Sequence, residues 1–297
     1  MGHYTACPVC DSLNIGLHLQ TNDFFLSSEP FSLFRCMSCG FVFTQDHPDE
    51  KEISNYYASE DYLSHNDSAR GLTSVLFRFS RKIMLGRKRK ITEKAAGLTK
   101  GRLLDIGCGT GHFLDIMKKT EWEVIGIEIN DKAREYAVST FGVEVLNPGQ
   151  ISLLEPGSFD CITMWHVLEH FQDPFMYLSE VSRLIKADGT CIIALPNCSS
   201  HDAEHYGKFW AAYDVPRHLW HFSPFTFQLF AQKSGFIIKS VRSLPLDVFY
   251  ISMLSEKYRR NNLSFITGII KGTWFWFLSI FKKTKISSLI YILKKNN

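Results

Sequence analysis

The sequence is short of several things, and each shortage excludes a class. Its first residues, Met1-Gly2-His3-Tyr4-Thr5-Ala6, are polar and open no apolar run, so no secretory signal is read there. Ala6 stands where a myristoylation signal carries Ser or Thr. The expected compartment is therefore reducing and cytoplasmic, and the eight cysteines are not read as a disulfide framework. Net charge is also scarce. At +3 over 297 residues it marks no nucleic-acid footprint by itself, and nucleic acid is not an expected partner. No internal repeat or low-complexity tract interrupts the chain. Apolar residues make up 45% and charged residues 21%, ordinary for a globular chain with room for one α/β domain and a small appendage.

What is present is organised by glycine. From Arg102 onward, apolar strands alternate with turns and helices, the pattern of a parallel sheet covered on both faces. Strands are expected at 102–106, 123–129, 143–146, 159–165, 190–195 and 236–241, and helices at 112–119, 132–139, 175–185 and 224–234. The first strand runs into Gly107-Cys108-Gly109-Thr110-Gly111, where glycines let the backbone turn tightly and approach a ligand. The spacing is G-x-G-x-G and not the G-x-G-x-x-G of dinucleotide folds. Asp105 ends the strand before the turn. A carboxylate there repels a pyrophosphate but favours the ammonium and sulfonium of S-adenosylmethionine (SAM). The second strand closes on Glu128, an acid placed to accept bonds from ribose hydroxyls.

Leu104-Asp105-Ile106-Gly107-Cys108-Gly109-Thr110-Gly111 resembles the first motif of the class I SAM-dependent methyltransferases. Ser158-Phe159-Asp160 through Trp165-His166-Val167-Leu168-Glu169-His170 resembles their fourth, and Leu195-Pro196-Asn197 the end of their fifth strand. The resemblance runs from residue 100 to 295. It implies a doubly wound, Rossmann-like α/β sheet of seven strands whose last strand, at 288–293, is antiparallel. It implies SAM as cofactor, held by Asp105, Gly107, Cys108, Gly109, Gly111, Glu128, Ile129, Gln150, Trp165 and His166. Two departures stand out. Ile185-Lys186-Ala187-Asp188-Gly189 replaces the family's Leu-Lys-Pro-Gly-Gly turn, and Asn147-Pro148-Gly149-Gln150-Ile151 lacks the usual acid near the adenine.

Methyl transfer from a sulfonium is an in-line displacement, so the enzyme mainly aligns acceptor and donor. A base is needed only where the acceptor must lose a proton. The expected place for one is Tyr213-Asp214-Val215-Pro216-Arg217-His218-Leu219-Trp220-His221-Phe222-Ser223-Pro224, which should fall over the site's mouth. His218 ranks ahead of His221 as base, and His166 is a third candidate beside the methionine part of SAM. A packed loop whose histidines bond to backbone is the plainer alternative. Glu169 and His170 have structural and functional readings of equal weight. Arg217 either holds an anionic group of the acceptor or anchors the loop to Asp214. The run resembles the Asp-x-Pro-Arg-His-Leu-x-His-Phe-Ser segment of methyltransferases that carry an N-terminal cysteine module. Some of those resemble sugar C-methyltransferases, in which a His or Tyr near this position takes the proton and the N-terminal region encloses the acceptor.

Cys7-Pro8-Val9-Cys10 and Cys36-Met37-Ser38-Cys39-Gly40 have the form of two zinc-ribbon knuckles, so Cys7, Cys10, Cys36 and Cys39 are the expected ligands of a structural Zn2+. The expected organisation is a zinc module at 1–45, a helical acceptor-side segment at 46–98, the SAM-binding core at 99–245, an apolar helical insertion at 246–286 and the core's last strand at 287–297. Tyr56, Tyr57 and Tyr62 are candidates to enclose an acceptor. Arg78, Arg81, Lys82, Arg87, Lys88, Arg89 and Lys90 read as a solvated helix face, or as a phosphate patch. The stretch 263–281 is apolar but carries Gly268, Lys271 and Gly272, which favours an in-plane helix with peripheral contact at the membrane's inner face, or a lid. The leading function is methylation of a small molecule or of a glycan or nucleotide-sugar intermediate. The alternatives are an RNA or protein methyltransferase, and a zinc-ribbon binding protein with an inactive methyltransferase domain.

Overall fold

A computed structural model of the chain describes residues 2–57 and 72–296, with side chains described outside 72–81. Tyr62 and the side chains of Arg78 and Arg81 lie outside the described residues.

Eleven strands are formed among the described residues. The first three are β1 (Ile15–Asn22), β2 (Pro30–Cys36) and β3 (Val42–Gln45). A long helix α1 (Leu72–Ala96) leads into β4 (Arg102–Ile106), α2 (His112–Lys118), β5 (Glu123–Ile127), α3 (Asp131–Phe141) and β6 (Glu144–Leu146). Then come β7 (Phe159–Trp165), α4 (Pro174–Leu184), β8 (Ile185–Pro196), α5 (His201–Tyr206), β9 (Trp220–His221), α6 (Pro224–Lys233) and β10 (Phe236–Ser243). Two helices, α7 (Asp247–Tyr258) and α8 (Ser264–Phe281), precede β11 (Ser288–Lys295).

Local chemistry explains many of these boundaries. The Asn130 side chain accepts from Ala133 N at the start of α3, and Gly142 at φ 59 ends it, since a left-handed residue closes a helix at least cost when it is glycine. Asp173 and Ser223 cap α4 and α6, each followed by a proline at the first helical position.

The seven-stranded sheet has the order β10-β11-β8-β7-β4-β5-β6. The pairs β8–β7, β7–β4, β4–β5 and β5–β6 are parallel. β11 runs antiparallel to both β8 and β10. This is the doubly wound, Rossmann-like sheet with an inverted last strand that the motifs imply. One turn expected from sequence is absent. Ala187-Asp188-Gly189 is part of β8, which starts at Ile185 and not at Thr190, and a register shift opposite Phe159/Cys161 absorbs the extra residues.

A second sheet has the order β1-β2-β3-β9. Its fourth strand comes from the histidine-rich run, with Val42 and Phe43 paired to His221 and Trp220. Trp220 Nε1 also donates to the Phe171 carbonyl at 2.6 Å. The smaller sheet therefore takes in a strand from beyond residues 1–45. Phe41, Phe43, Trp220 and Phe222 are buried in the same apolar cluster as Ile106, Met164 and Leu195 of the large sheet.

The helices α7 and α8 form the excursion before β11. Gly268 and Gly272 face α7, where an added Cβ would stand 2.5 Å from Met253 Cα and 3.0 Å from Phe249 Cδ1. Lys271, mid-helix, reaches Glu256 at 2.6 Å. The outer face carries Phe265, Ile266, Ile270, Trp274, Phe277 and Ile280, all exposed.

Candidate cofactor and acceptor site

The glycine loop leaves β4 at the sheet's carboxyl edge, where open α/β sheets bind their ligands. Gly107 has φ 73, and a Cβ there would lie 2.3 Å from Val167 Cγ2. Gly109 has φ 53, and a Cβ there would meet no described atom within 4 Å, so it borders open space. Glu128 joins the loop to the next turn, with Oε2 accepting from Gly109 N at 2.8 Å and Oε1 from Asn130 N at 2.9 Å. Asp105 is buried and accepts from Thr163 Oγ1 at 2.5 Å. Burial pushes its carboxyl up to about 7, against the opposing pull of Thr163 and Lys88.

The remaining cofactor candidates divide. Cys108 is buried in the loop, where burial raises its thiol. Gly111 starts α2 at φ 78. Trp165 is buried at the end of β7, its indole N–H without a partner among the described residues. Gln150 Oε1 accepts from Asn147 N at 3.0 Å and so shapes the turn after β6. Ile129 is 75% exposed and is the least enclosed of the set. Lys88 departs from the solvated face read in the basic run. It lies over the Trp165 ring at 4.6 Å, and burial lowers its pKa although Asp105 and Asp247 favour the charge.

A cavity of about 340 Å3 lies beside this edge, bounded by His166, Asp214, Arg217, His218, Asp247 and Tyr250, with Phe25 of the N-terminal module in its wall. His166 follows β7 with φ 59, a conformation that a non-glycine residue holds only at a cost of about 1–3 kcal/mol. Its Nε2 lies 3.1 Å from Asp247 Oδ2 and its Nδ1 3.5 Å from Glu169 Oε1. Burial works against the charge, but the two carboxylates outweigh it and push the pKa up to about 9. The two flanking carboxylates favour a proton on His166 and so weigh against it as the base.

His218 lines the cavity, and its Nδ1 is 2.9 Å from the Ala212 carbonyl. A carbonyl only accepts, so Nδ1 carries a proton, and in the neutral ring Nε2 carries the lone pair, 3.9 Å from Asp214 Oδ2. His221 is different. It is buried, its Nε2 lies 3.0 Å from Thr44 Oγ1, and burial lowers its pKa well below the usual value. It is not among the residues lining the cavity, because β9 places it in the smaller sheet. Arg217 resolves to the anchoring alternative. Its guanidinium reaches Asp214 at 2.7 Å and Asp23 at 2.8 Å, and it is 1% exposed. Burial raises Asp214, but the charge of Arg217 prevails and holds it below its usual value. Tyr56 donates to Glu29 at 2.5 Å, and the Tyr57 hydroxyl lies 2.9 Å from His170 Nδ1. Asp23, Lys88 and Asp247 carry no site signal in the sequence, for no spacing pattern connects them to the glycine loop.

The cysteine pairs converge. Cys7 and Cys39 sulfurs are 3.6 Å apart, Cys10 and Cys36 sulfurs 3.5 Å apart, and none is in a disulfide. A tetrahedron with metal–sulfur bonds of about 2.3 Å has edges of about 3.8 Å. Val9 N and Cys39 N point to Cys7 and Cys36 sulfurs at 3.4 Å, and Gly40 turns at φ 77. The four residues fit a Zn2+ ion, which would stabilise the module by closing its two loops.

Comparison with known proteins agrees with this geometry. The model of a methyltransferase domain family matches residues 80–241. Ubiquinone biosynthesis O-methyltransferase of Aeromonas salmonicida is 31% identical over 115 residues, 36% of this chain and 48% of that protein. Its counterpart in Thiobacillus denitrificans is 30% identical over 101 residues, 32% of this chain and 44% of that protein. The chain thus spans about half the length of these relatives. Geranyl diphosphate C-methyltransferase of Streptomyces coelicolor A3(2) shares the fold at TM-score 0.54 and 14% identity, over 84% of this chain and 99% of that one. The cyclase SpnF does so at TM-score 0.52 and 14% identity, over 84% and 97%. Since the family model covers more than half of the residues and the inverted-strand sheet is in place, the chain belongs to the methyltransferase-domain family, among the class I SAM-dependent methyltransferases.

Proposed function

We propose that the chain transfers a methyl group from SAM to a small molecule or to a glycan or nucleotide-sugar intermediate seated in the cavity. The observation that carries this is the cavity itself. It adjoins the β7 edge at His166, carries the His218 lone-pair face in its wall, and is closed by Phe25 of the N-terminal module. SAM supplies an electrophilic methyl group on a sulfonium leaving group. Asp105, Glu128 and the glycine loop hold it, Asp105 toward the ammonium and Glu128 toward the ribose. His166, fixed between Asp247 and Glu169, shapes the methionine end. The acceptor loses its proton at the His218 end of the cavity. The buried Asp23–Arg217–Asp214 set holds the loop that carries His218. Zn2+ at the four cysteines keeps the wall-forming module folded.

The test is incubation of the full chain with isotope-labelled SAM and pools of nucleotide sugars, lipid-linked glycans and phenolic small molecules. One pool should gain label. His218→Ala should lose at least about 100-fold in turnover, within the span of general acid–base contributions, while keeping SAM affinity. Full activity in that variant would remove His218 from the reaction.

The proposed place of action is the cytoplasmic face of a membrane, touched by α8. Among the described residues this is the one helix long and apolar enough to span, with mean hydropathy 1.3 over 18 residues. Its glycines and Phe275 face inward and most of its large side chains outward, and β11 returns to the sheet after it. That favours lying in the interface over crossing. The relatives named for ubiquinone biosynthesis are compatible with a lipid-associated acceptor. Anionic vesicles should retain the full chain and release a form lacking Leu263–Phe281; equal pelleting of both rejects the contact.

A further inference from the structure

His170 has no part in the chemistry proposed so far, and Glu169 only positions His166. Glu169 is 0% exposed, and neither carboxylate oxygen has a hydrogen-bond partner among the described residues. The cation beside it, His166, has Nδ1 3.5 Å from Oε1, an ion-pair separation that leaves Oε2 bare. Next to this carboxylate, His170 and His218 stand edge to face, ring centroids 4.5 Å apart at 82°. His218 Nδ1 donates to the Ala212 carbonyl at 2.9 Å, which leaves its Nε2 on the far side of the ring. His170 Nδ1 lies 2.9 Å from the Tyr57 hydroxyl and 3.1 Å from the Arg217 carbonyl. One donor atom from each of Glu169, His170 and His218 lies within 4.8 Å of the other two.

A ring N–H fixed on a backbone carbonyl, as at His218, is the arrangement that orients histidine ligands in metal sites. Two imidazoles and one carboxylate, all buried or half-buried, make a donor set that leaves coordination positions free.

We infer that Glu169, His170 and His218 bind one divalent first-row transition-metal ion in the cavity wall, separate from the four-cysteine site. Imidazole and carboxylate donors suit zinc, iron or nickel. His218 lines the cavity, and through it an ion held here would take a hydroxyl or carbonyl oxygen of the acceptor. The inference rests on reading that cavity as the acceptor's. It changes how His218 acts: the residue would hold an ion that makes an acceptor hydroxyl acidic enough to release its proton to solvent water, instead of receiving the proton itself.

The test uses the full chain saturated with zinc and freed of excess, with metal counted by mass spectrometry and SAM binding followed by calorimetry. Wild type should keep two zinc ions per chain and His170→Ala one. A single zinc in each overturns the site. Cobalt on wild type alone avoids dependence on the variant's folding. The first equivalent should give the strong thiolate-to-cobalt charge-transfer band, and the second should add visible absorption without increasing that band. A second equivalent that adds nothing beyond free cobalt overturns the site equally. Loss of SAM binding in wild type would instead count against the proposed function, whatever the metal count.

Discussion

Asp105 is buried, and its carboxyl is pushed up to about 7. A carboxylate raised on folding binds protons more tightly in the native state. Its contribution favours folding at low pH and is lost as pH climbs from the usual 3.8 through about 7. SAM binding should run the other way, because the cofactor's ammonium favours the ionised acid. Affinity should fall by about tenfold per unit below that pKa, and Asp105→Asn should flatten the profile; calorimetry across pH checks both. Arg217→Met should leave Asp23 and Asp214 buried without their cation, a loss of about 3–5 kcal/mol, read from the urea midpoint. Asp105, Gly107 and Glu128 were legible in the sequence because strand, turn and acid are close in the chain. Arg217 was only half legible: Asp214 is three residues away, while Asp23 is separated by 194. His221 looked equivalent to His218 because β9 is two residues long, too short for alternation to reveal which face each takes.

At the scale of elements, α8 turns Gly268, Gly272, Ser279 and Phe275 toward the protein and most of its other large apolar residues outside. The sequence revealed its length and apolarity. It did not reveal its glycine face, because that depends on α7 approaching closely at Met253 and Phe249. Gly268→Leu should push the two helices apart and destabilise by about 1–3 kcal/mol, seen as a lower urea midpoint. Trp274→Ser, on the outer face at 57% exposure, should change stability by no more than about 0.5 kcal/mol and should weaken vesicle retention. If Trp274→Ser left vesicle retention untouched, the outward face would have no part in membrane contact. The basic run in α1 was only partly legible for a similar reason. A helix face shows its charge in the sequence, but Lys88 turns inward over Trp165.

At the scale of the whole molecule, the histidine-rich run couples the two sheets. It supplies β9 to the N-terminal sheet and His218 to the cavity. Sequence motifs located both parts of the chain, but a two-residue strand between distant segments leaves no periodic signal. The coupling makes a prediction about metal removal. Stripping zinc should cost the module its dominant stabilisation, of about 10–16 kcal/mol for structural sites, and should loosen β9 with it. Acceptor methylation should fall while SAM affinity is retained, since the glycine loop and Glu128 lie on the large sheet. Parallel assays of labelled-methyl transfer and SAM binding after chelation would separate the two effects.

The central claim is that the β4 loop, Asp105 and Glu128 form a SAM site. Titration calorimetry of SAM into the full chain, alongside NADH and the Asp105→Asn and Glu128→Gln variants, tests it most directly. The account predicts one SAM per chain, weakened in both variants, and no heat from NADH. Absence of SAM binding to the folded chain, or binding of NADH in its place, would contradict it.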